Sequence, residues 1–217
     1  MFKSIFDNTK PNALVNKFRK KRFRFFKEIL DKSPKPVHIL DIGGTQNYWE
    51  QMGIKNSTEI FITLLNTQFI ETKYTNFTFI KGDARDLKNF NDKQFDIVFS
   101  NSVIEHLESF DDQKSMANEI IRTGKIYFVQ TPNYYFPFEP HFLFPFFQFL
   151  PINFKIFLIT HFNLGWFKKQ KTREEALELI KSINLLKKQQ ILELFPNSSL
   201  LEENVLFLIK SYTAISI

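Results

Sequence analysis

The feature that most constrains this chain is a regular alternation of short apolar strands and helical stretches between positions 36 and 133. "VHILDIGG" reads as a buried strand and a turn, "TEIFITLLN" (58–66) as a second strand, and "NFTFIKGDARDL" (76–87) as a third. "FDIVFSNSVIEHL" (95–107) is a fourth strand running into a turn, "DDQKSMANEIIRT" (111–123) is a helix, and "KIYFVQTPN" (125–133) is a fifth strand. Strands that alternate with helices at this spacing predict βαβ units, and hence a mostly parallel sheet with helices on both faces. The ending "SLLEENVLFLIKSYTAIS" predicts two consecutive strands. With no helix between them they should be antiparallel and close one edge of the sheet.

The flanks follow other rules. "NALVNKFRKKRFRFFKEIL" (12–30) predicts a helix with Leu14, Phe18, Phe25 and Ile29 on one face. Seven basic residues lie between Lys17 and Lys27 with no acid among them. Such a run is expected to be a solvated helix face. "SPKP" (33–36) breaks the helix. The alternation stops at Pro132, and residues 132–165 hold five of the nine prolines and twelve Phe or Tyr residues. Thr172 followed by Glu175 is a capping signal for the next helix, and "KKQQILELFPNSSL" is a helix ending near Pro196. We therefore divide a single 217-residue domain into an N-terminal helical segment (1–35), a cofactor-binding core (36–131), an aromatic lid or substrate insertion (132–170) and closing helices and strands (171–217).

Composition removes several alternatives. There is no cysteine, which excludes disulfides, thiolate metal sites and a thiol nucleophile. No metal is expected. The formal charge of +6 concerns solubility and partners more than fold. "MFKSIFDNTKPNA" lacks the long apolar core of a signal peptide, so a cytoplasmic location is expected.

In open parallel sheets ligands sit beyond the carboxyl ends of the strands. Here those ends carry Asp41, Gly43 and Gly44; Asn66; Asp83 and Ala84; and Ser100, Asn101 and Ser102, with Glu105 and His106 one turn later. A phosphate site would need three spaced glycines, or a glycine cradle with Lys and Ser or Thr. "GGTQNYW" offers two adjacent glycines and then bulk. The expected ligand is a nucleoside without phosphates. Tyr48 and Trp49, just after the turn, are expected to anchor the first helix.

"ILDIGG", "FIKGDARDL" and "FDIVFSNSVIEHL", in this order, resemble the motifs of class I S-adenosylmethionine-dependent methyltransferases of the methyltransferase type 11 kind. The resemblance covers about residues 36–133, and the C-terminal ending is similar to the closing elements of that fold. It implies a Rossmann-like, seven-stranded, mostly parallel sheet with an antiparallel C-terminal edge strand. It implies S-adenosylmethionine as cofactor. Gly43 and Gly44 match the glycines that pack backbone against the methionine and ribose. Asp41 matches the acid that helps hold the ammonium. Asn66 falls near the position that bridges the ribose hydroxyls, Asp83 and the Ala84 amide match the pair that reads adenine, and Ser100 and Asn101 face the methyl donor.

Methyl transfer from a sulfonium needs mainly proximity and alignment, with a base when the acceptor is a hydroxyl. Histidine suits that role because its pKa lies near neutrality. His141, in "PFEPHFLFP" beside Glu139, is the first candidate for base or acceptor contact, with Glu139 orienting it. His106 is second, His38 within strand one is expected to be structural, and His161 is expected to be structural or exposed. "TPNYYFPFEPHFLFPFFQFLP" resembles a bacterial branch associated with surface-polysaccharide and sugar biosynthesis. That implies a small-molecule or sugar acceptor, with a lipid-linked sugar among the candidates. The aromatic segment is too often interrupted to span a membrane. It should pack as a lid, with an interfacial lid at the inner face of the membrane as the sharper alternative. Two other functions stay open: a catalytically silent cofactor- or partner-binding domain, and an RNA methyltransferase. Nothing like "NPPY" follows strand four, and nucleic acid is not an expected partner.

Overall fold

The computed structural model describes residues 14–216, with side chains from residue 17. The N-terminal stretch read for a signal peptide, and the first two residues of the expected helix, lie outside that range. Helix α1 (Leu14–Lys32) leads into β1 (Val37–Ile42), the short α2 (Gln46–Gln51), β2 (Ile60–Asn66), β3 (Phe77–Lys81) and β4 (Phe95–Asn101). After a 3₁₀ turn at Ile104–His106 come α3 (Phe110–Thr123) and β5 (Gly124–Pro132). The insertion contains a two-stranded ribbon, β6 (Phe138–Glu139) and β7 (Phe144–Pro145), and helix α4 (Ile152–His161). Helices α5 (Arg173–Lys181) and α6 (Lys188–Leu194) precede β8 (Ser199–Val205) and β9 (Leu208–Ile215).

The seven-stranded sheet has the order β3-β2-β1-β4-β5-β9-β8. β1 through β5 are parallel to their neighbours, whereas β9 is antiparallel to both β5 and β8. The expected sheet, with its antiparallel closing pair, is the observed one. The strand order reverses between β1 and β4, and that crevice is where a ligand site belongs.

Two-residue periodicity splits the strands between two cores. Ile39, Ile97 and Phe99 face one side and pack with Phe23, Phe26 and Leu30 of α1 and Trp49 of α2. Leu40, Ile42 and Val98 face the other, against Met116, Ala117 and Ile120 of α3 and Ile191 and Leu194 of α6. α3 begins at Ser109, whose hydroxyl accepts the Asp112 amide at 3.0 Å, with two acids in its first turn and Arg122 in its last. Both features stabilise the helix through its unpaired ends and its dipole.

The predicted buried face of α1 needs a correction. Phe25 is exposed, and the buried stripe is Arg22, Phe23, Phe26 and Leu30. The helix turns its largest apolar stripe to the sheet and takes an arginine with it, because that arginine finds partners at the strand ends. Thr172 caps α5 as expected, accepting the Glu175 amide at 3.1 Å.

Candidate functional site

The turn after β1 is built for close approach. Gly43 has φ +72, and a Cβ there would lie 2.5 Å from Val103. A Cβ on Gly44 would fall 1.7 Å from an Asp41 carboxylate oxygen. No side chain fits at either position. The Asn66 amide donates to the Gly44 carbonyl at 2.9 Å and pins the turn to the end of β2.

Asp41 is fully buried beneath this turn. Its Oδ2 accepts the Trp49 indole N–H at 2.6 Å, while Oδ1 has no partner. Burial pushes the carboxyl up to about 7, against the smaller opposing effect of the Trp49 hydrogen bond. Trp49 itself is buried against Phe23 and Phe26, so it anchors α1 and holds Asp41 at once.

A cavity of about 400 Å³ opens over the turn. Its wall includes Asp41, Gly43, Gly44, Tyr48, Asn101 and Arg19. Ser100 lies fully buried at the end of β4 with its hydroxyl unpartnered. Ser100, Asn66, Asp83 and Ala84 stand outside that lining. Asp83 is held by Arg85, Nη2 to Oδ2 at 2.6 Å, and Arg85 reaches on to Asp112 at 2.8 Å. These guanidinium contacts hold the Asp83 carboxyl below the usual carboxylate range.

A second cavity, about 460 Å³, lies between the strand ends and the aromatic insertion. Phe136, Phe138, Trp166 and His141 supply its lid side. Arg19, Arg22 and Lys210 supply its core side. The two cavities share Arg19, Asn101 and Ser102.

His141 and Glu139 form one unit. The His141 Nδ1 lies 2.7 Å from Glu139 Oε1, and Glu139 Oε2 accepts the backbone amides of His141 and Phe142 at 2.8 and 2.6 Å. Burial alone would lower the imidazole. The hydrogen bond and charge of Glu139, with the charge of Glu105, outweigh it and leave His141 above the ordinary histidine range. The His106 ring lies edge-on to His141 with centroids 4.8 Å apart. Burial and the His141 charge hold His106 below that range. Glu105 is buried, accepts from the Thr131 hydroxyl at 3.0 Å, and is pushed up by burial. His38 is exposed and stacks on Phe61, and His161 is exposed on α4.

Sequence reasoning missed Arg19 and Arg22. Five of the seven basic residues from Lys17 to Lys27 are exposed, as a solvated face should be, but these two are not. Arg22 donates to the Asn101 and Gln130 side-chain oxygens and to Glu203 Oε2 at 3.0 Å. The available signal was spacing, because Arg19 and Arg22 fall on the stripe of Phe23, Phe26 and Leu30 at intervals of three and four.

Residues 41–126 match the family model described as a methyltransferase domain. Among solved structures, the CurJ carbon methyltransferase is similar at TM-score 0.56 and 13% identity, over 91% of this chain and 53% of that one. This chain thus spans about half the length of that relative. An S-adenosylmethionine-dependent methyltransferase from Methanosarcina mazei is similar at TM-score 0.54 and 12% identity, over 87% and 95% of the two chains. A chain in the complex between the Haloferax volcanii Trm112 methyltransferase activator and a methyltransferase is similar at TM-score 0.51 and 12% identity, over 99% and 96%. No curated protein matches. Residues 41–126 thus match a methyltransferase domain, the chain shares the fold of S-adenosylmethionine-dependent methyltransferases of known structure, and S-adenosylmethionine is the cofactor that this match implies.

Proposed function

We propose that this protein transfers a methyl group from S-adenosylmethionine to an oxygen of a small-molecule or glycan acceptor seated under the aromatic insertion. The observation that carries this reading is the shared wall. A cavity with an acidic floor and a cavity with aromatic and histidine walls meet at Arg19, Asn101 and Ser102.

The residues present fit the cofactor. Gly44 lets the turn close onto Asp41, where any Cβ would strike the carboxylate, and the buried Asp41 Oδ1 lacks a partner that an ammonium would supply. Asp41 would hold that ammonium, Gly43 and Gly44 would pack backbone against the methionine and ribose, and Ser100 and Asn101 would face the methyl-bearing end. The cofactor supplies a sulfonium methyl already activated for displacement. The chain supplies alignment across the shared wall. Glu139 fixes the His141 tautomer and leaves Nε2 to accept the proton of the acceptor hydroxyl.

Thermal unfolding with S-adenosylmethionine or S-adenosylhomocysteine tests the donor half. A ligand at a hundredfold its Kd stabilises by roughly 2.7 kcal/mol. No shift at millimolar ligand would leave the catalytically silent domain as the better reading. Screening nucleotide sugars and lipid-linked sugars as acceptors tests the other half. Salt-sensitive RNA binding to the exposed lysines of α1 would favour the RNA methyltransferase instead.

A specific observation favours a lipid-linked acceptor. Eight large apolar side chains of the insertion are exposed: Tyr135, Phe146, Phe149, Ile152, Phe154, Phe157, Phe162 and Trp166. α4 packs one side inward through Ile156 and Ile159, yet turns Phe154 and Phe157 outward in a stack. The segment beside it runs antiparallel, with the Gln170 amide on the Ile159 carbonyl and Arg173 on Asn153. That segment exposes Lys168, Lys169, Lys171 and Arg173. Aromatic side chains with a basic rim suit a membrane surface bearing anionic headgroups. Among the described residues no helix is long and apolar enough to cross a membrane. Flotation with phosphatidylglycerol vesicles should carry the protein upward, and flotation with neutral vesicles should not. No flotation with either would remove the interfacial lid.

A further inference from the structure

The acceptor cavity has an unusual charge balance. Arg19, Arg22 and Lys210 all line it. The carboxylate that meets Arg22 and Lys210 is that of Glu203, itself buried. One oxygen of it, Oε2, takes Arg22 Nη2 at 3.0 Å, Lys210 Nζ at 2.6 Å and the Ser211 hydroxyl at 3.1 Å. Arg22 Nη1 donates to Asn101 and Gln130 while its buried Nε has no partner, and Lys210 sits over the Phe18 ring at 4.4 Å. Arg19 is half-buried and pairs with no carboxylate among the described residues. Its guanidinium is depressed by burial, with the neighbouring Arg22 charge adding to the effect. Three cations thus face one carboxylate in a partly dry wall. Buried charge without a counter-charge is costly, and a guanidinium with free donors suits a carboxylate or a phosphate.

We propose that the acceptor entering this cavity carries an anionic group, a carboxylate or a phosphate, seated against Arg19 with Lys210 and Arg22 behind it. This rests on the methyl-transfer reading and names the substrate class of the same site. The anion would fix one end of the acceptor on the core wall, while the aromatic side chains Phe136, Phe138 and Trp166 enclose its body and His141 meets its hydroxyl. The subsite then acts on orientation, which is what an in-line displacement requires.

The cofactor brings a carboxylate of its own, and Arg19 lines both cavities, so the experiment must separate the two sources. Calorimetric titration of the full chain with inorganic pyrophosphate is run with and without saturating S-adenosylhomocysteine. The expected result is pyrophosphate binding in both conditions. Arg19→Gln should weaken pyrophosphate about ten- to a hundredfold, the loss of one charge-assisted contact, and weaken S-adenosylhomocysteine by clearly less. Arg19→Lys, which keeps the charge and loses the fork, should fall between. Two results overturn the inference: pyrophosphate binding that disappears when the product is bound, or an Arg19→Gln variant that loses the product and keeps pyrophosphate. Product binding with no pyrophosphate binding also ends it and leaves the methyltransferase reading intact. Pyrophosphate binding at Arg19 without any product binding would keep the anion subsite and remove the methyl donor.

Discussion

Two aromatic assemblies in this molecule obey opposite rules. Beneath the sheet, Phe26, Trp49, Phe99 and Phe128 are almost wholly buried and meet mostly edge to face, with Phe26 and Phe99 centroids 4.9 Å apart. In the insertion, Phe154, Phe157 and Phe162 stand half in water. The first set is spent on stability, and its position explains the donor cavity: Trp49 belongs to the cluster and also holds Asp41. The second set contributes little to folding. Apolar side chains kept outside a core point to a surface that something else covers.

The most severe test of that contrast is thermodynamic. Phe26→Ala should destabilise by about 3–5 kcal/mol, because it leaves a cavity in a packed core. Phe157→Ser should stay within about 0.5 kcal/mol. Urea denaturation of both variants checks the pair, and equal losses would erase the distinction. Flotation reverses the order, since Phe157→Ser should lose vesicle binding that Phe26→Leu retains.

Next in size is His141→Ala, expected to cut turnover about a hundredfold or more while product affinity holds. Unchanged turnover would take the lid out of the chemistry. The pH profile sharpens this. A base must be deprotonated, and His141 is held above the ordinary histidine range by Glu139 and Glu105 against burial. Turnover should therefore rise with pH through a midpoint above that range, and Glu139→Gln should move the midpoint down. By linkage, the stability this imidazole contributes is complete below its unfolded pKa and is lost as pH rises through the folded one.

The smallest effect belongs to the core side. Asp41 titrates at about 7 when folded against 3.8 as the reference value, so in the free protein its contribution to stability declines as pH rises between them. A bound ammonium favours the ionised form. Product affinity should accordingly increase as pH rises through about 7. Trp49→Phe removes a hydrogen bond that lowers the Asp41 pKa, and should shift that rise upward. Calorimetry at several pH values reads both, and a flat profile would detach Asp41 from the ligand.

The contrast also explains what could be read from the chain. The sheet was legible because each parallel strand ends at a small or polar residue and alternates its apolar side chains. Helix α4 was not, because "INFKIFLITH" is apolar on all sides and shows no helical period. The tight turn at Gly43 and Gly44 was legible because adjacent glycines after a strand are a local signal. The basic side of the second cavity was not, because Arg22 reaches Glu203 across 181 positions of sequence, and no short motif encodes a contact of that range.

Arg22 also sets a limit on dissection and engineering. One side chain from α1 joins the ends of β4, β5 and β8 through Asn101, Gln130 and Glu203. The stretch that matches the methyltransferase domain, 41–126, contains only one of those four residues. Excised at its matching boundaries, it would keep the glycine turn, Asn101 and Ser102, and lose Arg19 together with the guanidinium that ties the strand ends to one another. Exchanging lids between relatives faces the same constraint: a transplanted insertion must arrive with a first helix and a last hairpin that agree about this one guanidinium.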